Sequence, residues 1–238
     1  MIKTFLGTMT DLLYPRRCPV CDRAVRPFGS LICETCKDRF VYVKQPFCMK
    51  CGKELSEETE EYCSDCVKRR HLFDSGRALF AYKSAADSIY RFKYKGRQEY
   101  GRYYAACMAA WLGEWIVQHE PDAFIPVPIH ASKRHVRGYN QAQVLARELG
   151  GLMNLPVEDD MVKRVRRTAP MKDLPLAERQ NNLKRAFKIC RNDVKLKTVI
   201  IIDDIYTTGS TIDAMSYELR RAGVEHICFV ALAIGNGL

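Results

Sequence analysis

The chain has 238 residues, enough for one ordinary domain and a small one, and its 47% hydrophobic content excludes an intrinsically disordered polymer. A formal charge of +10 and a pI near 9.1 imply affinity for polyanions such as a pyrophosphorylated sugar, a nucleic acid or both. Residues 1–72 carry 13 basic and 10 acidic side chains, whereas residues 130–197 carry 16 and 7, so the excess sits in the C-terminal half.

Residues 2–13 place Ile2, Phe5, Leu6, Met9, Leu12 and Leu13 on one helical face, and they are expected to form a docked amphipathic helix. The stretch is too short and too interrupted for a membrane span. With one lysine near its start, Lys3, and no small-residue cleavage site before Arg16-Arg17-Cys18, it does not read as a secretory signal, and the expected location is cytoplasmic.

Four C-x-x-C pairs follow, Cys18/Cys21, Cys33/Cys36, Cys48/Cys51 and Cys63/Cys66, with 11 residues between each pair and the next. Two thiolates at i and i+3 in a tight turn converge on one ion, and two such turns complete a tetrahedral site. Eight thiolates therefore predict two structural Zn²⁺ ions. Disulfides are the rival, but i to i+3 pairs make poor crosslinks. Short loops favour sequential ribbons, first pair with second and third with fourth, and leave a cross-braced module as the alternative. Cys107, Cys190 and Cys228 stand alone in apolar contexts and are expected to be buried packing residues. The expected boundary places this module in residues 1–70 and a second domain in 71–238.

Beyond Cys66, residues 77–82 read as a strand and residues 85–94 and 99–118 as helices, the second with Trp111 and Trp115 at i and i+4. That pair reads as core or subdomain interface, with a base-stacking platform as the other reading. Between the helices, Phe92-Lys93-Tyr94-Lys95-Gly96-Arg97 interleaves aromatic and basic residues; a solvated helix end is the plain account. Ala123 to Pro128 reads as a strand, His130 to Arg137 as a basic loop, and Asn140 to Leu149 as a helix ended by Gly150. His130 and His135 are as readily solvated as functional. Residues 164–187 carry a Pro-containing basic loop and a polar helix.

The last unit carries the most chemistry. Val199-Ile200-Ile201-Ile202 is the apolar run of a strand covered on both faces, Asp203-Asp204 stand at its carboxyl end, and Ile205-Tyr206-Thr207-Thr208-Gly209-Ser210-Thr211 turns into a helix. Ser210 or Thr211 is expected to cap that helix, whose free N–H groups suit a phosphate. Gly209 lets the backbone approach the anion. Two carboxylates beside such a turn can hold the vicinal hydroxyls of a ribose, directly or around Mg²⁺, so the pattern suggests a ribose 5-phosphate. A Walker B strand would need a G-x-x-x-x-G-K-[ST] partner, which the chain lacks.

Residues 199–211 resemble the 5-phosphoribosyl 1-pyrophosphate signature of type I phosphoribosyltransferases. The resemblance implies an α/β fold, a mainly parallel sheet flanked by helices, behind the cysteine-rich double zinc ribbon. It implies that Asp203 and Asp204 act as the catalytic pair steadying ribose and metal, and that Tyr206, Thr207, Thr208, Gly209, Ser210 and Thr211 hold the 5-phosphate. Lys133, Arg134 and Arg137 are then the charges available for pyrophosphate, and Arg164, Arg166, Arg167 and Thr168 belong to a mobile segment closing over the reaction centre or touching nucleic acid.

The zinc pairs, Phe92-Lys-Tyr-Lys-Gly96, Pro126-Val-Pro128, Arg137-Gly-Tyr-Asn-Gln141, Thr168-x-Pro170, the Leu174 to Asn182 helix and the 199–211 segment, in that order, resemble the ComF family, the ComFC/GntX-type competence proteins. That resemblance implies a role in natural transformation, in which phosphoribosyl pyrophosphate with Mg²⁺, single-stranded DNA and a DNA translocase of the competence machinery are the partners. Two departures bear on catalysis. Met171 stands where a Gln commonly follows the T-x-P element, and Thr207 stands where hypoxanthine-guanine phosphoribosyltransferases place an Asp in the phosphate loop near the purine. Thr cannot act as a general base at neutral pH. Three classes follow: a competence factor binding phosphoribosyl pyrophosphate, a working phosphoribosyltransferase, and a zinc-ribbon adaptor with a regulatory sugar site.

Overall fold

The computed structural model describes residues 15–27, 29–165, 186–191 and 195–235. The expected helix over 2–13, the Leu174 to Asn182 helix, Arg166, Arg167, Thr168 and the Thr168-x-Pro170 element lie outside the described residues.

A four-stranded parallel sheet organises the chain: β1 (Ser75–Ala81), β2 (Ala123–Pro126), β5 (Thr198–Tyr206) and β6 (His226–Ile234), in the order β1-β6-β5-β2. Its register pairs Ile200 with Phe124 and Cys228, and Ile202 with Pro126 and Val230. A two-stranded antiparallel ribbon, β3 (Val162–Arg164) with β4 (Phe187–Ile189), stands apart from it. Strand side chains alternate between faces, and the sheet's two faces carry different cores. Ile200, Ile202, Val230, Leu232 and Phe80 share one cluster with α2 (Tyr82–Tyr94), α3 (Tyr100–Gln118) and α5 (Gln141–Met153). Val199, Ile201, Phe229 and Ala231 share the other with α6 (Ser210–Arg221) and the β3-β4 ribbon.

The cysteine-rich segment divides between those faces. Cys18, Val25, Ile32, Cys36 and Phe40 join the α2-α3 cluster, whereas Cys48, Cys51, Leu55 and Cys63 join the α6 cluster, together with the short helix α1 (Ser64–Lys68) that follows Cys63. The chain crosses from one face to the other over the sheet's edge, where Val43 N–H donates to Leu79 O (3.0 Å) and Ala81 N–H to Val41 O (2.8 Å). Residues 41–43 thereby cap β1, which would otherwise present unpaired backbone.

Several boundaries differ from expectation. His130 to Arg137 is helical rather than a loop: the His130 ring accepts from Ser132 N–H, and Gly138 at φ +80° ends the helix, α4 (Ala131–Arg137). Gly150 does not terminate α5, which runs to Met153 and closes on Asn154 in the left-handed region. A Cβ at Gly150 would lie 2.7 Å from Val157 Cγ2 and 2.8 Å from Leu155 O, so glycine there admits the returning chain. Cys228 is buried as expected and Cys107 partly so, but Cys190 is exposed at the end of β4, beyond any core that could cover it. Trp115 packs against the core and Trp111 stacks on Tyr42 at 4.2 Å, which makes the pair an interface with the cysteine-rich segment.

Candidate functional site

Four buried aliphatic residues bring β5 to its carboxyl end, where Asp203 is 9% exposed and Asp204 partly so. Asp204 N–H donates to Asp203 Oδ1 at 2.8 Å, and Lys93 Nζ, from the last turn of α2, donates to Asp204 Oδ1 at 2.8 Å. Burial pushes the Asp203 carboxyl up to about 7, and the neighbouring Asp204 charge adds to it, against the pull of Lys93, the Asp204 amide and Arg164. Arg164 at the end of β3 is itself held below the usual guanidinium value by burial, which the Asp203 charge offsets only in part. Two carboxylates and two cations therefore occupy one low-dielectric corner.

After Tyr206, which is buried, the chain turns through Thr207 and Thr208 to Gly209 at φ +75°, and α6 begins at Ser210. Neither Ser210 nor Thr211 caps it: Gly209 holds the cap position with no side-chain bond, and Thr208 Oγ1 and Ser210 Oγ are 2.9 Å apart, engaged with each other. The first-turn N–H groups of a 12-residue helix are left without a side-chain cap at the mouth of the acid pair. Any Cβ at Gly209 would lie 2.7 Å from Tyr206 Oη and 2.8 Å from His71 Cε1, so the turn needs glycine. His71 forms the floor. Its side chain is 1% exposed, Nδ1 lies 2.8 Å from Asp213 Oδ2, and the neighbouring Leu72 N–H donates to Asp213 Oδ1 at 2.8 Å.

The expected phosphate-side cations are arranged less compactly. Lys133 and Arg134 are exposed on α4, and Arg137 is turned toward Tyr94 Oη (2.8 Å) and Gln141 Oε1 (3.0 Å) with its guanidinium 4.7 Å from the Tyr94 ring centre. Lys93 and His71 were not assigned to the site from sequence. Lys93 lies 111 residues from its carboxylate, and only its place in an aromatic-basic stretch marked it; nothing in local spacing marked His71.

The thiols form two groups of four, Cys18, Cys21, Cys33, Cys36 and Cys48, Cys51, Cys63, Cys66, with the sulfurs of each within 4.8 Å of one another. The pairing is sequential. Cys21 and Cys33 sulfurs are 4.0 Å apart and those of Cys51 and Cys63 are 3.6 Å apart, close to the roughly 3.8 Å that tetrahedral Zn–S bonds of about 2.3 Å impose. In the second group, hydrogen bonds from Cys51 and Cys66 hold the Cys48 thiol down, while the hydrogen bonds Cys66 makes to Cys48 and Cys51, together with burial, push the Cys66 thiol up. Four thiolates cannot share this space without a cation, and the donor set fits Zn²⁺.

Together, the fold and site define a type I phosphoribosyltransferase fold preceded by two four-cysteine zinc ribbons. Residues 9–67 match the double zinc ribbon domain family and residues 116–237 the phosphoribosyl transferase domain family. Competence protein F of Haemophilus influenzae is 30% identical over 91% of this chain and 96% of its own length; Competence protein ComFC of Streptococcus pneumoniae is 28% identical over 85% and 87%, and DNA utilization protein YhgH of Salmonella typhimurium 26% over 88% and 86%. The chain belongs to the ComF family of competence proteins. Among the described residues no helix is long and apolar enough to cross a membrane.

Proposed function

We propose that this chain binds 5-phosphoribosyl 1-pyrophosphate in residues 71–238, behind a zinc module in residues 1–70, and that it assists the handling of incoming single-stranded DNA on the cytoplasmic side, beside a DNA translocase. One observation carries the sugar-phosphate reading: buried Asp203 and half-buried Asp204 stand at the carboxyl end of β5, one short turn before an uncapped helix start at Gly209. A ribose laid across that corner places its hydroxyls on the carboxylates and its 5-phosphate on the first-turn N–H groups of α6. Lys93 already satisfies one Asp204 oxygen; Asp203 and Asp204 would hold Mg²⁺, which would supply charge neutralisation to the pyrophosphate leaving group. Lys133, Arg134 and Arg164 supply positive charge for the pyrophosphate. The DNA reading rests on the charge excess of residues 130–197 and on the competence and DNA-utilization names of the relatives.

A second reading, phosphoribosyl transfer to an acceptor, is favoured by the Asp203 carboxyl, which at about 7 is poised to exchange a proton near neutrality.

Calorimetry with phosphoribosyl pyrophosphate and Mg²⁺ tests the site. Asp203→Asn with Asp204→Asn is expected to weaken binding about a hundredfold or more, because hydrogen bonds to charged groups contribute roughly 1.5–3 kcal/mol each. Wild-type affinity should be higher at pH 8 than at pH 6, since Asp203 acts as an anion only after losing a proton held up to about 7. Equal binding by wild type and the double variant would refute the site. A pyrophosphate-release assay against bases and oligonucleotides separates binding from transfer.

A further inference from the structure

We infer that Tyr90 and Tyr94 on α2, backed by Arg137, form a stacking platform for the bases of a single-stranded nucleic acid, next to the sugar-phosphate corner. The inference rests on the single-strand reading above and adds where the strand is held.

The two tyrosines stand four residues apart, one turn along α2, so they share a face. Both are more than half exposed, 54% and 53%, and their ring centres are 5.2 Å apart. Half-exposed tyrosines paired in this way contribute little to the core, whose α2 contacts come from Ala85, Ile89 and Phe92 on the opposite side. The Arg137 guanidinium lies 4.7 Å from the Tyr94 ring centre and donates to its hydroxyl at 2.8 Å, which fixes that ring and places a cation over one of its faces. Exposed Lys95 follows Tyr94, and exposed Lys133 and Arg134 continue the basic surface along α4. Asp87, one turn before Tyr90, closes the platform at the other end with an opposite charge.

Paired aromatic faces beside a basic track are what sequence-tolerant binding of single strands requires: the rings take bases and the cations take phosphates. The position gives the second argument. Lys93, adjacent to Tyr94, reaches Asp204 at 2.8 Å, so a nucleotide stacked on Tyr94 lies beside the corner that accepts ribose and phosphate. A second aromatic surface among the described residues is less suited. A groove of about 940 Å³ is lined by Tyr42, Phe47, Trp111 and Trp115, but Asp38 and Glu114 balance Lys44 and Arg77 there, and Arg77 is already engaged between the Phe47 and Trp115 rings, 4.2 and 5.4 Å from their centres. Charge complementarity to a polyanion favours the tyrosines.

The test uses the full zinc-loaded chain, a fluorescein-labelled oligo(dT) 20-mer and an abasic oligonucleotide of the same length, read by anisotropy. Wild type should prefer oligo(dT) over the abasic strand, and Tyr90→Ala with Tyr94→Ala should lower oligo(dT) affinity by about 10- to 100-fold while leaving abasic affinity within a factor of about three. Tyr90→Phe with Tyr94→Phe keeps the rings and should retain the preference even though the Arg137 hydrogen bond is lost. Zinc content and thermal melting establish that each variant is folded. Wild type that binds both strands equally overturns the platform but leaves the DNA reading standing, as does competition by polyglutamate as effective as that by oligo(dT). A preference that survives the alanine pair but disappears with Trp111→Ala moves the bases to the groove and overturns the placement. No binding of either strand refutes the DNA reading itself, and the platform with it.

Discussion

The two zinc ribbons share one spacing and do different work. The first reaches across to α2 and α3: Ser88 Oγ donates to Pro19 O, Arg91 donates to Pro19 O (3.1 Å) and Val20 O (2.8 Å), and Asp22 pairs with Arg97 at 2.7 Å. The second lies on the opposite face. A Cβ at Gly52 would sit 2.6 Å from Gly76 O, so its knuckle rests directly on β1, and the chain leaving it runs through His71 and Phe73 into the floor of the turn at Gly209. The first ribbon therefore braces the helix that carries Lys93, Tyr90 and Tyr94, and the second braces the turn that starts α6. A repeat fixes the metal chemistry; the residues between and after its cysteines decide what each copy holds in place.

That division is broken most severely by removing one ligand from each ribbon. Cys48 is fully buried and Cys21 exposed. Each serine substitution should lower zinc from two ions per chain to one by metal assay, but Cys48→Ser should cost on the order of 3–5 kcal/mol and Cys21→Ser roughly 1–3, since structural zinc in isolated fingers contributes about 10–16 kcal/mol and Cys48 leaves an unpaired polar group in a buried setting, whereas Cys21 stands at the surface. Cys48→Ser should also abolish phosphoribosyl pyrophosphate binding, and Cys21→Ser should first impair the α2 platform. Equal losses of melting temperature and of sugar affinity in the two variants would mean the ribbons are interchangeable.

A finer cut leaves both metals in place. His71→Ala removes the ring beneath Gly209 and one of the two partners of Asp213, while Leu72 N–H still reaches the carboxylate. The cost should be about 1–3 kcal/mol, and the affinity for phosphoribosyl pyrophosphate should fall several-fold with two zinc ions retained. Unchanged affinity would show that the second ribbon supports the sheet and not the turn.

Much of this was legible in the sequence, and the limits have physical reasons. Ribbon chemistry and the β5-turn-α6 unit were readable because their determinants are local: ligands three residues apart, and four apolar residues followed directly by acids and a glycine turn. What local pattern could not supply was partnership across the chain. Arg137, expected to face pyrophosphate, turns to Tyr94, and Lys93, expected at a solvated helix end, is the ion-pair partner of Asp204; both depend on α2 and α4 meeting beside the acid pair. Cysteine spacing favoured sequential over cross-braced pairing only through its short loops, because both arrangements satisfy four thiolates per ion; the structure has the sequential one. The expected Ser210 or Thr211 cap failed because the cap position falls on Gly209, which has no side chain, while Ser210 and Thr211 lie inside the helix and Ser210 is bonded to Thr208.

The smallest expected effect isolates the first ribbon's brace without touching its zinc. Asp22 Oδ1 accepts from Arg97 Nε (2.7 Å) and Tyr100 Oη (2.6 Å), and Oδ2 from Arg97 Nη2 (3.1 Å). Burial works to raise this carboxyl, but the hydrogen bonds from Arg97 and Tyr100 and the Arg97 charge outweigh it, so the group is held below its usual 3.8. Asp22→Asn keeps the shape and tolerates the left-handed φ of +56° found there, so it removes the charge and one accepting oxygen while leaving the other to accept. Because both side chains of the ion pair are about a quarter exposed, solvent screens it and the loss at pH 7 should be only about 0.5–1 kcal/mol by urea melts. A depressed carboxyl stabilises wherever it is ionised in both states, so the contribution is full above about 4 and lost as pH falls through the folded value. The gap between wild type and variant should therefore stay constant from pH 8 to 5.5, while any fall in both curves toward acid reports thiolate protonation and zinc loss. A gap that narrows within that window would place the titrating group elsewhere and detach Asp22 from the bracing of α2 and α3.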